Sequence, residues 1–448
     1  MFTKVLIANR GEIAVRVIRA CRDLGIQSVA VYSEADREAL HTQIADEAVC
    51  IGPASSKDSY LNSNNIIQAA IGAGAQAIHP GYGFLSENAD FARACKENGL
   101  VFIGPTEQSI RALGDKTSAR QMAREVGVPL AEGSDGIVET IEDAEQWAEK
   151  IGYPVMLKAS SGGGGKGIRV AENKQKLQQA FEAASGEAIA NFGDGRLYME
   201  KYISKPRHIE VQILGDQYGN IIHLYDRECS IQRRHQKLIE EAPSPFLDEE
   251  HRQHMCDCAV ALAKRAGYIG AGTVEFLVDD KQNFYFCEMN TRIQVEHPVT
   301  EQITGIDLVA WQLRIAAGIQ LNVSQKDVCL RGHAIECRIN AEDEQFRPRP
   351  GNIQSMHLAG GVGVRVDTAA YQGYTIPPFY DSMIAKLITF GSDRKETSAR
   401  MKRALSEMLF EGIVTNTDYQ LSILLSEAFE TAMFHTGSIE EGVFDIKR

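Results

Sequence analysis

Two glutamates on neighbouring predicted strands are the first residues whose placement indicates chemistry. Residues 272–278 and 284–290 are rich in β-forming side chains and are joined by the polar turn 280–283, which predicts an antiparallel hairpin. With the turn centred between Lys281 and Gln282, Glu275 lies opposite Glu288. Directly opposed carboxylates have Cβ atoms about 5 Å apart and repel each other unless a cation lies between them.

The same register predicts the rest of this face. Thr273 is expected opposite Asn290, and Leu277 opposite Phe286, because strand side chains alternate between faces. Carboxylate and amide oxygens are hard ligands, so we predict a Mg²⁺ site that bridges nucleotide phosphates, with Glu275, Glu288 and Asn290 as ligands. The alternative is a register shift by one residue, which would turn a glutamate to solvent.

A glycine run is the second candidate for nucleotide chemistry. Residues 160–167 read SSGGGGKG between two strand-like segments, 155–159 and 168–170. Glycines allow backbone N–H groups to crowd around phosphate oxygens, and Lys158 and Lys166 add positive charge. A Walker A loop is excluded, because Ser160 replaces its first glycine and Gly167 stands where Ser or Thr binds the metal. The alternative is the exposed tip of a hairpin.

Three regions of different pattern must position these residues. Residues 1–114 alternate strands with helices, which predicts a parallel α/β sheet of the Rossmann-like kind. Residues 115–330 contain the glycine run, within a lid at about 131–203, and the carboxylate hairpin. Residues 331–448 show short strands, turns and one longer helix, which predicts an α+β domain.

Composition limits the partners and the compartment. The 448-residue chain has a formal net charge of −13, which argues against nucleic-acid and anionic-membrane partners. Its nine cysteines are odd in number and contain no C-x-x-C pair, which favours reduced thiols in a cytoplasmic protein. No His/Cys spacing indicates zinc, and no apolar run reaches the length of a membrane span. The N-terminus shows no targeting segment.

Six sequence strings together resemble one family. They are residues 7–14 (IANRGEIA), 79–88 (HPGYGFLSEN), 232–237 (QRRHQK), 288–300 (EMNTRIQVEHPVT), 332–340 (GHAIECRIN) and 380–383 (YDSM). In this order the strings are similar to the biotin carboxylase subunit of acetyl-CoA carboxylase, a member of the ATP-grasp superfamily. The resemblance covers essentially the whole chain, and it implies an ATP-grasp fold flanked by the N-terminal and C-terminal domains.

The resemblance also implies a ligand for each candidate residue. ATP would be surrounded by Lys116, Lys158, Gly162, Gly163, Gly164, Gly165, Lys166, Gly167, Glu200, Lys201, Ile203, His208, Gln232, His235, Glu275, Leu277 and Glu288. Bicarbonate would be held by Lys237, Arg292, Gln294 and the backbone N–H of Val295. Glu296 would be the general base, Tyr82 and Arg338 would contact biotin, and Mg²⁺ or Mn²⁺ would accompany ATP.

Some of these residues have plainer interpretations. Glu200 with Lys201, and Arg338 with Glu336, would be read as surface ion pairs from the residues alone. In extended backbone, Asn290, Arg292, Gln294 and Glu296 are expected to project to one side. The chain departs from the family pattern at Asp226-Arg-Glu228 and in the loop 346–351, where only local packing is in question.

The implied activity is ATP-dependent carboxylation of biotin through carboxyphosphate. Its implied partners are a biotin carboxyl carrier protein, carboxyltransferase subunits and a second copy of the chain. The alternatives are a component of a pyruvate or propionyl-CoA carboxylase, another ATP-grasp ligase, and a regulatory nucleotide-binding protein. A carrier role for Lys402, which follows Met401, is disfavoured because its neighbours form a charged helical pattern.

Overall fold

The computed structural model describes residues 1–134, 136–160 and 167–445. The first region is a five-stranded parallel sheet with the strand order β3-β2-β1-β4-β5. Its elements are β1 Lys4–Ile7, α1 Gly11–Asp23, β2 Gln27–Ser33, α2 Leu40–Ile44, β3 Glu47–Gly52, α3 Ser63–Gly72, β4 Ala77–His79, α4 Ala89–Glu97, β5 Val101–Phe102 and α5 Glu107–Gly114. The predicted parallel α/β fold of this region is confirmed.

A small separate body follows. It contains a three-stranded antiparallel sheet in the order β7-β6-β8, and its apolar side chains form a cluster of their own. Its elements, after the helix α6 Lys116–Glu125, are α7 Ile141–Ile151, β6 Val155–Ala159, β7 Ile168–Ala171, α8 Lys174–Phe192 and β8 Leu197–Lys201. The glycine run joins β6 to β7, so a strand precedes and follows it as predicted.

One eight-stranded sheet connects the remainder of the chain. Its order is β13-β12-β9-β10-β11-β14-β17-β16. The elements up to residue 316 are β9 Arg207–Gly215, β10 Ile221–Arg233, β11 Gln236–Ala242, α9 Glu249–Arg265, β12 Gly270–Val278, β13 Phe284–Asn290, α10 His297–Thr304 and α11 Leu308–Ala316. Those after it are β14 His333–Asn340, β15 Ser355–His357, β16 Val364–Thr368, β17 Met383–Gly391, α12 Arg394–Glu407, β18 Leu409–Glu411, α13 Thr417–Leu425 and α14 Glu427–Glu430.

The C-terminal region therefore has the predicted α+β character, with strands that extend the central sheet. The pair β15 and β18 forms a separate two-stranded ribbon. A core of apolar side chains joins the N-terminal region to the central sheet, including Val5 and Ile18 on one side and Leu214 and Ala271 on the other. Across the described residues, no helix is long and apolar enough to cross a membrane.

The β12–β13 hairpin confirms part of the predicted register and corrects the rest. Glu275 lies opposite Glu288, and Thr273 opposite Asn290, as expected. A register shift after Glu275 then places Leu277 opposite Tyr285 rather than Phe286. The shift leaves Cys287 as an extra residue on β13, a β-bulge that turns Phe286 to the opposite face, where it packs in the core.

Candidate active site

A row of carboxylates crosses three neighbouring strands. Glu210 on β9 lies opposite Glu275 on β12, which lies opposite Glu288 on β13. On β9 the side chains alternate, so His208 and Gln212 share the polar face with Glu210 while the intervening residues enter the core. Because like charges repel at this spacing, the row requires cations beside it.

Lys237 on β11 supplies one of these cations. Its Nζ lies 2.6 Å from a carboxylate oxygen of Glu210, 3.1 Å from Glu275 and 2.7 Å from Glu296. Burial by itself lowers the pKa of Lys237, but the three carboxylates outweigh burial and raise that pKa well above its ordinary value. Lys237 is therefore a permanently charged centre, and an anion brought beside it would compete with these glutamates.

The far end of the row carries the three predicted metal ligands. Glu275 Oε1 accepts hydrogen bonds from Asn290 at 2.8 Å and Gln294 at 3.1 Å, and its Oε2 lies 3.2 Å from His208 Nε2. Burial and the negative charge of Glu275 raise the pKa of Glu288. Within the described part of the chain, no side chain donates a hydrogen bond to Glu288. A divalent cation would relieve this repulsion, so Glu275, Glu288 and Asn290 fit such an ion.

His208 adds positive charge on the same face. Burial lowers its pKa, but Glu275 reverses the effect, so that the pKa of His208 is raised to about 9. The imidazole is therefore protonated at neutral pH. Glu210, which the prediction omitted, belongs to the same cluster, in which single side-chain atoms of His208, Glu210 and Glu275 lie within 4.8 Å of one another.

The segment 291–296 carries the next group of predicted residues. β13 ends at Asn290, so this segment bends instead of continuing as a strand, and the expectation of extended backbone is wrong. The side chains nevertheless converge: Arg292 donates to Gln294 at 2.7 Å and to Asn290 at 3.1 Å. Arg292 Nε also donates to Glu87 at 2.8 Å, which tethers the segment to the N-terminal region.

Glu296 lies between two cations. It is fully buried, and its two carboxylate oxygens accept from Lys237 at 2.7 Å and from Arg338 at 2.9 Å. Burial raises the pKa of Glu296, but Lys237 and Arg338 together lower it below its ordinary value. Glu296 is therefore an ionised carboxylate at neutral pH, which is the state a general base requires.

Arg338 on β14 is bound differently from the predicted surface pair. Its Nε donates to Glu240 at 2.6 Å, while Glu336 is fully buried and neither of its oxygens accepts a hydrogen bond from the described residues. The interpretation as an Arg338–Glu336 surface pair is wrong. Burial raises the pKa of Glu240 to about 7, even though Arg338 lowers it.

A second buried ion pair links two strands of the small sheet, β6 and β8. Lys158 Nζ donates to Glu200 at 2.5 Å, and Arg120 binds the other oxygen of Glu200. Lys201 donates to the carbonyl oxygens of Gly152 and Tyr153, at 2.8 and 3.0 Å. Glu200 is buried, so the interpretation of Glu200 and Lys201 as a solvent-facing pair is wrong. Ile203 lies just beyond β8 and is partly buried.

The other residues predicted to bind ATP lie on several different elements. Lys116 begins α6, and its positive charge contributes to the lowered pKa of Glu200 and opposes the raised pKa of Glu288. Leu277 pairs with His208 across β12 and β9, and Gln232 is buried opposite Lys237. Exposed His235 lies at the β10–β11 turn with φ +64°, beside a cavity of about 330 Å³ that Glu440 and Glu441 also line.

Gly162, Gly163, Gly164, Gly165 and Lys166 lie outside the described residues. Gly167 has φ +71°, and a Cβ there would lie 2.8 Å from Ala159 Cβ, so this position requires glycine.

Tyr82, the predicted biotin contact, lies in the N-terminal region. It is partly buried on the loop that follows β4, and its hydroxyl donates to Glu12 at the start of α1. This hydrogen bond connects Tyr82 to α1.

Sequence reasoning missed several residues that hold the site together. Arg227 is fully buried and donates to Glu210 at 2.6 Å and to Gln212 at 2.7 Å. Arg120, Glu87 and Glu240 each bind a predicted residue directly. A signal was available for Glu210, because residues 208–213 alternate polar and apolar side chains, which is typical of a strand with one functional face.

Comparison with known proteins identifies the family. Residues 1–110 match the family described as "Biotin carboxylase, N-terminal domain", residues 115–324 "Carbamoyl-phosphate synthase L chain, ATP binding domain", and residues 336–441 "Biotin carboxylase C-terminal domain". The chain is 57% identical to biotin carboxylase 1 of Bacillus subtilis over 443 residues, covering 98% of each protein. It is 53% identical to a pyruvate carboxylase subunit of Methanothermobacter thermautotrophicus, covering 98% of this chain and 90% of that protein.

Solved structures agree. The biotin carboxylase of Campylobacter jejuni, in a β,γ-ATP complex, superposes with a TM-score of 0.96 at 48% identity, covering 98% of this chain and 99% of that one. The biotin carboxylase domain dimer of Hydrogenobacter thermophilus 2-oxoglutarate carboxylase, with MgADP, ADP and bicarbonate, has a TM-score of 0.95 at 51% identity over the whole of both chains. This chain therefore belongs to the biotin carboxylase family of ATP-grasp enzymes and is an ATP-dependent ligase that carboxylates biotin.

Proposed function

We propose that this chain catalyses the first half-reaction of acetyl-CoA carboxylase, in which bicarbonate is activated by ATP and its carboxyl group is transferred to biotin on a carrier protein. The observation that carries the proposal is the ionised Glu296, held between Lys237 and Arg338 beside the carboxylate row. This arrangement combines a base, an anion site and a metal-binding face in one continuous cluster.

The nucleotide end of the site would hold Mg²⁺ or Mn²⁺ through Glu275, Glu288 and Asn290. Such an ion would neutralise phosphate charge during transfer. Lys116, Lys158 and His208 are the protein's own cations toward the phosphates, while the segment around Glu200, Lys201 and Ile203 would contact the adenine. The Hydrogenobacter relative, whose structure contains MgADP, supports a site for magnesium and nucleotide.

The anion site accounts for the first chemical step. Lys237, Arg292, Gln294 and the N–H of Val295 would hold bicarbonate through charge-assisted hydrogen bonds. Glu296 accepts the proton of bicarbonate, and the oxygen that is freed attacks the γ-phosphorus of ATP. The bond to the β-phosphate oxygen breaks, which yields carboxyphosphate and ADP.

In the second step, the carboxyl group is transferred from carboxyphosphate to biotin. Carboxyphosphate breaks down to CO₂ and phosphate, and the phosphate removes the proton from the biotin ureido nitrogen. That nitrogen then attacks CO₂, while Arg338 stabilises the negative charge on the ureido oxygen. Tyr82 would line the side of the biotin pocket.

The partners follow from this chemistry. The carboxylated biotin must be carried on a separate biotin carboxyl carrier protein to carboxyltransferase subunits, which use acetyl-CoA and so serve fatty acid synthesis in the cytoplasm. A role within a pyruvate carboxylase is the second candidate, because the chain is 53% identical to a protein of that name. We further propose a homodimer, since the Hydrogenobacter relative is described as a dimer.

An ADP-release assay with Mg²⁺-ATP tests the activity. We expect release to depend on bicarbonate and to rise when free biotin or biotinylated carrier is added. No stimulation by either acceptor would contradict the proposal and favour another ATP-grasp ligase. With carrier and purified carboxyltransferases added, labelled carboxyl groups should appear on acetyl-CoA, whereas transfer to pyruvate alone would favour the second candidate.

A further inference from the structure

A buried lysine outside the predicted site contacts its anion-binding segment. Lys386 lies in the middle of β17 and is fully buried. Its Nζ donates to the carbonyl oxygen of Val295 at 2.7 Å and lies 3.2 Å from Glu12 Oε1. A buried ammonium is rare and costly unless it is paired and hydrogen-bonded. The position of Lys386 therefore depends on both contacts.

The contact with Val295 fixes backbone that matters for catalysis. The peptide group joining Val295 to Glu296 lies between β13 and α10, in a segment that is neither strand nor helix. A hydrogen bond to its carbonyl oxygen restrains the orientation of that peptide group. The same peptide group helps to determine the position of the Glu296 side chain. Through the Val295 Cα, it also influences the orientation of the Val295 N–H.

The other contact leads to the biotin side of the site. Glu12 in the first turn of α1 accepts a hydrogen bond from Tyr82 through the same oxygen, Oε1, that faces Lys386. Its second oxygen is buried without a hydrogen-bond partner among the described residues. A continuous chain of contacts thus runs from Tyr82 through Glu12 and Lys386 to Val295.

The charged residues around Lys386 favour a single arrangement of this chain of contacts. Across the sheet, Lys386 lies opposite Arg338 on β14 and opposite Asp367 on β16. Asp367 accepts two hydrogen bonds from Arg365, from Nε at 2.9 Å and from Nη2 at 2.7 Å. The charge of Glu336, a buried carboxylate without a hydrogen-bond partner among the described residues, also attracts the Lys386 ammonium. Among the described residues, Val295 and Glu12 are the ones that the ammonium contacts directly.

We propose that Lys386 and Glu12 are positioning residues that couple the biotin pocket to the bicarbonate site. The coupling rests on the proposed roles of Tyr82, Val295 and Glu296. Biotin that packs against Tyr82 orders its hydroxyl on Glu12, and Glu12 in turn holds the ammonium that restrains the peptide group before Glu296. The interaction predicts that bicarbonate activation and biotin binding depend on each other through these residues.

Lys386→Met tests the proposal, since methionine removes the ammonium and retains much of the side-chain length. We expect the KM for bicarbonate to rise by about ten-fold or more, because a small displacement of positioned groups has large effects on rate. The KM for ATP should change by less than about two-fold, because the nucleotide residues lie on other strands. Stimulation of ADP release by biotin should fall with the loss of the coupling.

Arg252→Met is the matched control. Arg252 is also buried in an ion pair, with Asp226 at 2.8 Å, but it contacts none of the residues of the chain from Tyr82 to Val295. It should lower the melting temperature without changing the KM for bicarbonate. If Lys386→Met shows the same pattern as Arg252→Met, the ion pair only stabilises the fold and the proposal is overturned.

A second variant keeps the test decisive if Lys386→Met does not fold. Glu12→Gln removes only the charge, and we expect it to raise the KM for bicarbonate and to weaken biotin stimulation in parallel. Unchanged values for both would overturn the proposal. If wild-type protein shows no biotin-stimulated ADP release, the proposed function fails instead, so the two failures are distinguishable.

Discussion

Glu296 combines full burial with a negative charge, and the two are compatible only because Lys237 and Arg338 each donate to one of its oxygens. Its pKa is lowered, so the carboxylate stays ionised below the ordinary range for a glutamate. Protonation of Glu296 therefore does not limit the reaction near neutral pH.

Glu296→Gln removes the proton acceptor and keeps the shape of the side chain. We expect bicarbonate-dependent ADP release to fall by about 10²–10⁴-fold, the usual range for loss of a general base. Nucleotide affinity, measured by titration calorimetry, should be nearly unchanged. Cleavage at the wild-type rate would assign the base to another residue.

Glu288→Lys places a cation where the proposed metal binds. We expect turnover to be lost even at high Mg²⁺, because the new ammonium pairs with Glu275 and displaces the ion. Glu250→Lys, on the exposed face of α9, makes the same change in net charge and should retain activity. Activity of Glu288→Lys at ordinary Mg²⁺ concentrations would contradict the metal assignment.

At the scale of elements, the β12–β13 hairpin shows how far a sequence can predict a site. The polar turn and the alternation of side chains placed Glu275 opposite Glu288 correctly. The bulge at Cys287 was not predictable, because the sequence of a strand does not show which of its residues will be left unpaired. Phe286 was therefore assigned to the wrong face, although the carboxylates beyond the bulge were not.

The supporting contacts were harder to predict than the candidate residues. Arg227 on β10 lies opposite Glu210 on β9, and a register shift between His223 and Asp226 sets this pairing, which the alternation along each strand does not reveal. The polar face of β9 was visible in the alternation of residues 208–213. The parallel N-terminal sheet and the α+β C-terminal region were both predicted, because alternating strands and helices differ clearly from runs of short strands.

β11 and α12 are joined by Glu241, whose carboxylate accepts from Arg394 at 2.7 Å and lies 2.8 Å from a ring nitrogen of His333. Burial raises the pKa of Glu241, but Arg394 and His333 outweigh it and lower that pKa to about 2. Because the pKa of Glu241 is lower in the folded state than in the unfolded state, its ionised carboxylate stabilises the fold at pH values above the unfolded-state pKa. This stabilisation is lost as the pH falls from about 4.5 to about 2.

Glu241→Gln should lower the free energy of unfolding by roughly a few kcal/mol at pH 7. The variant should also lose part of the acid dependence of stability in that pH window. Denaturant titrations at several pH values would measure both effects, with Glu427→Gln, at an exposed position, as the control. An unaltered acid dependence would show that Glu241 does not titrate as described.

At the scale of the whole molecule, the lid proposed at about 131–203 has an apolar cluster of its own. A body with a separate core can move as a unit. We expect a non-hydrolysable ATP analogue to slow amide hydrogen exchange in β6, β8 and α6 relative to exchange in α12. Equal exchange with and without the analogue would argue against a lid that closes on the nucleotide.

The eight-stranded sheet makes the C-terminal region inseparable from the catalytic one. β11, which carries Lys237, is hydrogen-bonded to β14, which carries Arg338, from Ile239 and Cys337 to Ala242 and Ala334. A polypeptide ending near residue 330 would leave one side of β11 bare, with the apolar partners of Leu238 and Ile239 missing as well. An unpaired strand edge of this kind pairs with strands of other molecules. The shortened protein should therefore aggregate during expression rather than fold as a smaller ATPase.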